Sequence, residues 1–283
     1  MTRSVSQPGS KTFPGSVIIL GEATNAASVS VNTNPTHRKR RYFRAELAVE
    51  NSANPVWLGI TNVAVLPVGS GQYVVSNITG QVFVPKTPES FSYDADGNLT
   101  SDGRWNYTWD AENRLVRVKS YGAADRAGWR RVDWAYDALG RRTRQTSYVL
   151  SNGVWVVTED VKFVSDPAPF GRHVVELGAT NHALVRSYVW GLDLSGTMDG
   201  AGGVGGGLLW VRLAGGLASG THFVTCDGNG NSVSPIAAAD VWEAARYEYG
   251  PFGEPIRVTG QTATENVFRF STKRTDDTTE LVL

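Results

Sequence analysis

Asp276 and Asp277 stand side by side, and two carboxylates that shared a proton could work as an acid–base pair. Neighbours in an extended segment point to opposite faces, so this pair cannot share one. Ser195 precedes Gly196 as a turn-borne nucleophile would, but the strand–turn–helix context of a nucleophile elbow is missing. The four histidines are His37, His173, His182 and His222, and their spacing fits no zinc site. Cys226 is the one cysteine; with no His or acid in fixed relation to it, it reads as a buried structural thiol. It also rules out an intramolecular disulfide. Gly200, Gly202 and Gly205 match G-x-G-x-x-G. A dinucleotide site needs a helix next, whereas Leu208-Leu-Trp-Val-Arg-Leu213 reads as a strand. The run His37-Arg38-Lys39-Arg40-Arg41 could meet nucleic acid or an anionic glycan, but without basic partners elsewhere it reads as a solvated loop. These residues give no catalytic centre, no cofactor site and no metal site.

The elements that must position such residues carry a clearer message. Phe91-Ser-Tyr-Asp-Ala-Asp-Gly-Asn-Leu99 is followed by Tyr107-Thr-Trp-Asp-Ala-Glu-Asn-Arg-Leu115. Each copy reads aromatic, any residue, aromatic, Asp, two turn residues, Gly or Asn, a polar residue and Leu. Asp94 and Asp110 suit the first turn position, where a carboxylate accepts from the backbone two residues on. Gly97 and Asn113 supply the positive φ that closes such a loop. Tyr93 is then expected to face Leu99 across a hairpin, and Trp109 to face Leu115. Tyr136-Asp137 with Gly140 is a third copy, in which Arg142 takes the Leu place and either is exposed or stacks on the aromatics. Cys226-Asp227 with Gly230 is another. In Tyr247-Glu-Tyr249-Gly-Pro-Phe-Gly253 a glycine replaces the turn Asp, and Pro251 can fix the turn φ instead.

Composition agrees with an all-β chain. Its 283 residues allow one large or two ordinary domains. Lys plus Arg and Asp plus Glu both number 27, and charged residues are only 19%. That balance indicates neither nucleic acid nor an anionic membrane as partner. Gly is abundant at 31, beside many aromatic residues. No apolar run is long enough to span a bilayer, and Met1 to Ser16 has no apolar signal-peptide core.

The organisation read from the chain is a disordered lead-in over 1–16, an N-terminal strand region over 17–86, a hairpin array over 87–257, and a last section over 258–283. Tyr42 to Val49 alternates with period two, as a half-buried strand does. Short strands are expected at Val17–Leu20, Val29–Val31, Val56–Leu58, Val63–Leu66 and Tyr73–Val75, continuing the sheet of the array. Ala237 to Ala245 is the one helical candidate, and the last residues read as a strand without a partner.

The copies at Tyr93-Asp94, Trp109-Asp110, Tyr136-Asp137 and Cys226-Asp227 resemble the YD repeats of the RHS family, which teneurins and insecticidal toxin-complex shell proteins share. Arg246 to Arg257 is similar to the family's R-Y-x-Y-D-P-F-G motif, and Phe268-Arg-Phe-Ser-Thr-Lys-Arg-Thr-Asp276 to the opening of its associated core. The resemblance covers about Tyr42 to Leu283. It implies tandem antiparallel hairpins in a spiralling, partly open shell-like sheet that is not an enzyme. It implies as partners the rest of such a shell, a C-terminal toxin or effector, and glycans. The implied location is secreted or in the cell envelope. A surface carbohydrate- or protein-binding module and a truncated fragment are the alternatives. The family's Asp-Pro-x-Gly-Leu cleavage motif has no counterpart. Glu280 stands at a glycine position of the core and Arg274 at an aromatic one, so the resemblance implies neither a closed core nor self-cleavage here.

Overall fold

Each repeat closes on the carboxylate of its own aspartate. In the computed structural model, which describes residues 9–13, 15–120, 129–167, 172–198, 200–201, 207–216 and 219–282, Asp137 Oδ1 accepts from the N–H of Leu139 and of Arg141, both at 2.9 Å. The N–H of Gly140 donates to the Asp137 carbonyl at 3.0 Å, and that of Asp137 to the Arg141 carbonyl at 2.9 Å. Asp94, Asp110 and Asp227 repeat the whole set. The turn requires a left-handed residue three places after the aspartate. Gly97, Gly140 and Gly230 supply it at φ 86°, 76° and 74°, and Asn113 at 58°.

A turn of this length sets the register. The residue before each turn pairs with the residue six places on: Tyr93 with Leu99, Trp109 with Leu115, Tyr136 with Arg142, Cys226 with Ser232, and Tyr249 with Pro255. In each of these hairpins the register shifts next to that pair, a bulge that adds local twist.

The hairpins follow one another into a twelve-stranded antiparallel sheet in chain order. Its strands are β9 (Ser92–Tyr93), β10 (Leu99–Ser101), β11 (Trp105–Trp109), β12 (Leu115–Ser120), β13 (Arg130–Tyr136), β14 (Arg142–Ser151), β15 (Val154–Ser165), β16 (His173–Gly178), β17 (Leu184–Trp190), β18 (Leu208–Leu213), β19 (Gly220–Cys226) and β20 (Ser232–Ala237). The separate hairpin β21 (Ala245–Tyr249) and β22 (Pro255–Gly260) follows. The twelve-stranded sheet does not close, since β9 and β20 lie at its two ends. The protein is all-β: the described residues hold no α-helix, only one 3₁₀ turn at Phe270–Thr272.

Several expectations are corrected. The lead-in is partly ordered, because β1 (Gly9–Phe13) pairs with β2 (Ser16–Glu22); residues 1–8 lie outside the described residues. The N-terminal strands do not extend the repeat sheet. They form two four-stranded sheets, ordered β1-β2-β6-β5 and β4-β3-β7-β8. Here β3 is Ser28–Val31, β4 Asn34–Pro35, β5 His37–Lys39, β6 Tyr42–Ala48, β7 Val56–Gly69 and β8 Gln72–Val84. The two sheets share a core of Val17, Ile19, Val31, Phe43, Leu47, Ile60 and Val84. The alternation along Tyr42 to Val49 is as expected, with Phe43, Ala45, Leu47 and Val49 buried. The basic run is a loop only in part: His37–Lys39 forms β5 and pairs with β6, Arg40 and Arg41 make the exposed turn between them, and Arg38 donates to the carbonyls of Ala23, Thr24 and Arg40. The short strands between Val56 and Val75 merge into one long hairpin.

Ala237 to Ala245 forms a turn, closed by the Val241 N–H to the Ala237 carbonyl at 3.0 Å, and then enters β21. The last residues are not an unpartnered strand. Bridges Phe268↔Arg274 and Thr275↔Val282 fold them back on themselves. Ser232 Oγ, on β20, donates to the Phe268 carbonyl at 2.9 Å. Leu281 packs on the cluster of Trp105, Val118, Val132 and Trp134 from β11 to β13. β11 and β20 are nine strand spacings apart, about 43 Å in a flat sheet. With its two bridges, the tail spans at most about 18 Å from Phe268 to Leu281. The sheet therefore curls around the C-terminal segment.

Replacing Asp137 with Ala removes an acceptor shared by two backbone N–H groups, and is expected to lower the melting temperature. Asp137→Asn keeps an oxygen there and should retain most of the stability. Thermal denaturation followed by far-UV circular dichroism reads both, on a spectrum dominated by β structure.

Candidate functional site

The repeat residues come together as a ladder along the sheet. Trp109 Nε1 donates to the Leu99 carbonyl at 2.8 Å, and Tyr136 Oη to the Leu115 carbonyl at 2.7 Å. Trp190 Nε1 reaches the His173 carbonyl at 2.7 Å, and Tyr249 Oη the Ser232 carbonyl at 2.8 Å. Each ring thus bonds to the hairpin before it. A second ladder runs through the turns. Arg114 Nε pairs with Asp110 at 2.7 Å while its Nη1 donates to the Asp137 carbonyl at 3.2 Å. Arg141 binds Asp137 at 2.8 Å and reaches on toward the Asp166 carbonyl at 3.5 Å. The ordinary carboxylate pKa of Asp137 is lowered, chiefly by the Arg141 N–H. Arg142 stacks over Trp134 and Tyr136 at 5.6 and 6.0 Å from the ring centres. Tyr93, at the end of the array, stays exposed.

Two members of the ladder escape the sequence pattern. Asp193 builds the same turn, with its Oδ1 accepting from the Ser195 N–H at 2.9 Å and Gly196 at φ 74°. Its preceding aromatic, Trp190, is three places back instead of one, although the stretch Tyr188 to Gly196 also resembles the RHS family. At Gly250 the carboxylate comes from the other strand: Glu254 Oε2 accepts from the Phe252 N–H at 3.1 Å. Glu254 fills the space that a Cβ at Gly250 would enter. Gly253 keeps its closing role at φ 84°.

Inside the curl lies a cluster of buried charges. Glu176 is fully buried on β16. Its Oε2 accepts from Arg186 Nη1 at 2.6 Å, and its Oε1 from Tyr188 Oη at 2.7 Å and from Arg274 Nη1. Arg274 also lies 4.8 Å from the centre of the Phe163 ring, which stacks on His173 at 4.2 Å. Burial pushes the Glu176 carboxyl up, but Arg274 and Arg186 more than offset this and hold it below its ordinary value. Burial, with Arg274 nearby, lowers His173 to about 4. A polar pocket of about 160 Å³ opens beside the cluster, between Glu159, Arg186, Glu265, Asp276 and Thr278. Burial raises the Glu159 carboxyl.

The candidate chemical residues are occupied structurally. Asp276 accepts from Gln145 Nε2 at 2.8 Å and from Thr279 N and Oγ1 at 2.7 and 2.8 Å. Asp277 faces away, onto Arg269 at 2.6 and 2.8 Å. Ser195 Oγ donates to Asp193 at 2.5 Å. The Cys226 thiol is half-buried, and burial raises its pKa. Among the described residues no three His, Cys, Asp or Glu are grouped to hold a metal. Gly202 and Gly205 lie outside the described residues. No helix of the described residues is long and apolar enough to cross a membrane.

No family model matches the chain. A stretch of 58 residues, 20% of the chain, is 45% identical to the tRNA nuclease WapA of Bacillus subtilis strain 168, and covers 2% of that protein. The tRNA(Glu)-specific nuclease WapA of Bacillus subtilis subsp. natto strain BEST195 matches to the same extent. Among solved structures, the TcdB2-TccC3-Cdc42 crystal structure is similar at 12% identity and TM-score 0.47, over 96% of this chain and 15% of that one. The Photorhabdus luminescens Tc holotoxin pore is similar at 12% identity and TM-score 0.44, over 93% of this chain and 12% of that one. The chain thus spans a small part of each relative.

Arg274→Ala strands a buried carboxylate, and should cost about 3–5 kcal/mol in urea denaturation. Adding Glu176→Gln should cost less than the sum of the two single changes. The cluster also fixes a pH dependence. His173 is held neutral, so its contribution is complete above 6.5 and is lost as pH falls toward 4. The depressed Glu176 contributes fully above 4.5 and loses that contribution below it. Urea midpoints should therefore fall on acidification from pH 6.5, and His173→Phe, which keeps the stack on Phe163, should flatten the upper part of that fall.

Proposed function

We propose that the chain is a non-catalytic structural shell segment of the RHS, YD-repeat kind, one that encloses or carries polypeptide. The observation that supports this most is the curled twelve-stranded sheet with residues 268–281 seated inside it. A sheet in which every hairpin bonds to the one before is a quasi-one-dimensional array, extended by adding units. On this reading its partners are further shell of the same repeat and a carried toxin or effector, and its setting is secreted or in the cell envelope. The segment it holds here is its own. The 58-residue likeness to WapA nucleases does not bring nuclease activity with it, because 2% of such a protein is a stretch of scaffold length. Glu176 and Asp276 inside the curl are spent on guanidinium, amide, hydroxyl and backbone partners, which among the described residues leaves no nucleophile–base pair in reach of a substrate.

Limited trypsin digestion of the folded chain tests enclosure. Arg269 and Arg274 are buried, so both should survive while exposed turn sites such as Arg40 are cut. Early cleavage after Arg274 would remove the carrier reading. Incubation with total tRNA and with ester, peptide and glycoside substrates should give background rates only, and turnover of any of them would overturn the non-catalytic assignment.

A further inference from the structure

Open sheet edges invite pairing with another strand, and proteins blunt them with charge, proline or brevity. Most edges here carry such protection. β5 presents Arg38 and Lys39, β4 is two residues long and contains Pro35, and β9 is two residues long. β20 is covered, as the Ala244 N–H donates to the Pro235 carbonyl at 2.9 Å and Ser234 Oγ to the Ala245 carbonyl at 2.7 Å.

β8 has none of these protections. It runs for 13 residues, Gln72–Val84, and pairs on one side only, with β7. No described strand lies on its other side. From Val56 to Val84 the chain holds no Asp, Glu, Lys, Arg or His. Tyr73 and Val75 are 63% and 60% exposed.

We propose that the chain forms a two-fold dimer in which β8 pairs antiparallel with β8 of a second copy. The pattern of the strand selects that occupant. It is apolar at both ends, Tyr73-Val-Val75 and Val82-Phe-Val84, and polar between, at Ser76, Asn77 and Thr79. Such a sequence matches its own reverse at most positions. With the dyad at Ile78, Tyr73 stands opposite Phe83, Val74 opposite Val82, Ser76 opposite Gly80 and Asn77 opposite Thr79. Val75 meets Gln81 and Gln72 meets Val84; at the other positions apolar meets apolar and polar meets polar, and no like charges face each other. Gly80 has open space where a Cβ would be, so Ser76 of the other copy meets no obstruction. The contact is isologous and closes on itself. It joins two four-stranded sheets into one of eight strands. This inference is independent of the shell reading, because it uses only the N-terminal sheets.

Sedimentation of the full chain across a concentration series tests it. The wild type should approach twice the 30.6 kDa chain mass. The double variant Val75→Lys with Thr79→Lys, both at exposed positions, should keep the wild-type circular dichroism and sediment at the single-chain mass throughout. Ile78→Cys in a Cys226→Ser background should form an intermolecular disulfide on mild oxidation, because opposed residues of an antiparallel pair lie within disulfide reach. Tyr42→Cys in the same background should not. A wild type that stays single at its highest soluble concentration overturns the proposal. So does a dimer that survives the lysine pair, or one that Ile78→Cys fails to cross-link.

Discussion

A carboxylate oxygen held by two backbone N–H groups is the contact on which this architecture depends. Each such aspartate is near the surface, and its energetic share is modest. Its importance is geometric. It fixes the length of the turn, and so sets the aromatic residue opposite the residue six places on. The bulge that follows twists the ribbon, and the ring then reaches the carbonyl of the previous hairpin, as Tyr136 reaches Leu115. One local contact thereby specifies the stacking of whole hairpins. Gly250 shows that the requirement is for the oxygen and not for the residue that supplies it. There Glu254 delivers a carboxylate from across the hairpin, and the glycine leaves room for it.

The interior is specified differently. Glu176 has no exposure and therefore needs full compensation. Arg186 and Tyr188 come from the neighbouring strand, but Arg274 comes from the tail, 98 residues along the chain. A buried pair of this kind adds little net stability over an apolar equivalent, while a mismatched one is strongly unfavourable. It acts as a registration mark: the tail can seat where Arg274 meets Glu176 and Asp276 meets Gln145, and nowhere else along the sheet without stranding a charge. Arg274 is thus the residue that fixes the closing segment in this chain.

These two levels explain what could be read from the sequence. Turn, register and the succession of hairpins are local, and Asp94, Asp110, Asp137 and Asp227 announce them within a few residues. The stretch around Asp193 was legible as family-like, but not as a turn of the same spacing, because its aromatic partner is displaced; Glu254 was hidden because its role crosses the hairpin. The seating of the tail was not legible. Phe268-Arg-Phe alternates as a strand would, and nothing local says that Arg269 binds Asp277 or that Arg274 binds a strand far earlier. Ala237 to Ala245 misled through helix propensity, a weak preference that the pairing of Ala244 with Pro235 overrides. The basic run is solvated at Lys39, Arg40 and Arg41, but its charge hid a short strand in which Arg38 spends its guanidinium on backbone carbonyls.

A curled sheet that never closes needs something to hold its two ends in relation, and the N-terminal sheets are placed to do so. Glu22 of β2 pairs with Arg257 of the last hairpin, whose guanidinium lies 5.8 Å from the centre of the Tyr42 ring. At the other end, Arg104 beside β11 lies 5.4 and 5.8 Å from the Phe83 and Trp57 rings, and its Nη1 pairs with Glu280 of the tail at 2.8 Å. Arg104 therefore touches the N-terminal hairpin, the first strands of the array and the enclosed segment at once. These contacts are side-chain bridges between units, not ladder hydrogen bonds. They restrain the opening of the curl while leaving its edge strands distinct from those of the N-terminal sheets. An array built this way can change its number of hairpins without redesigning its closure, provided that a guanidinium at each end still finds its acid and its ring.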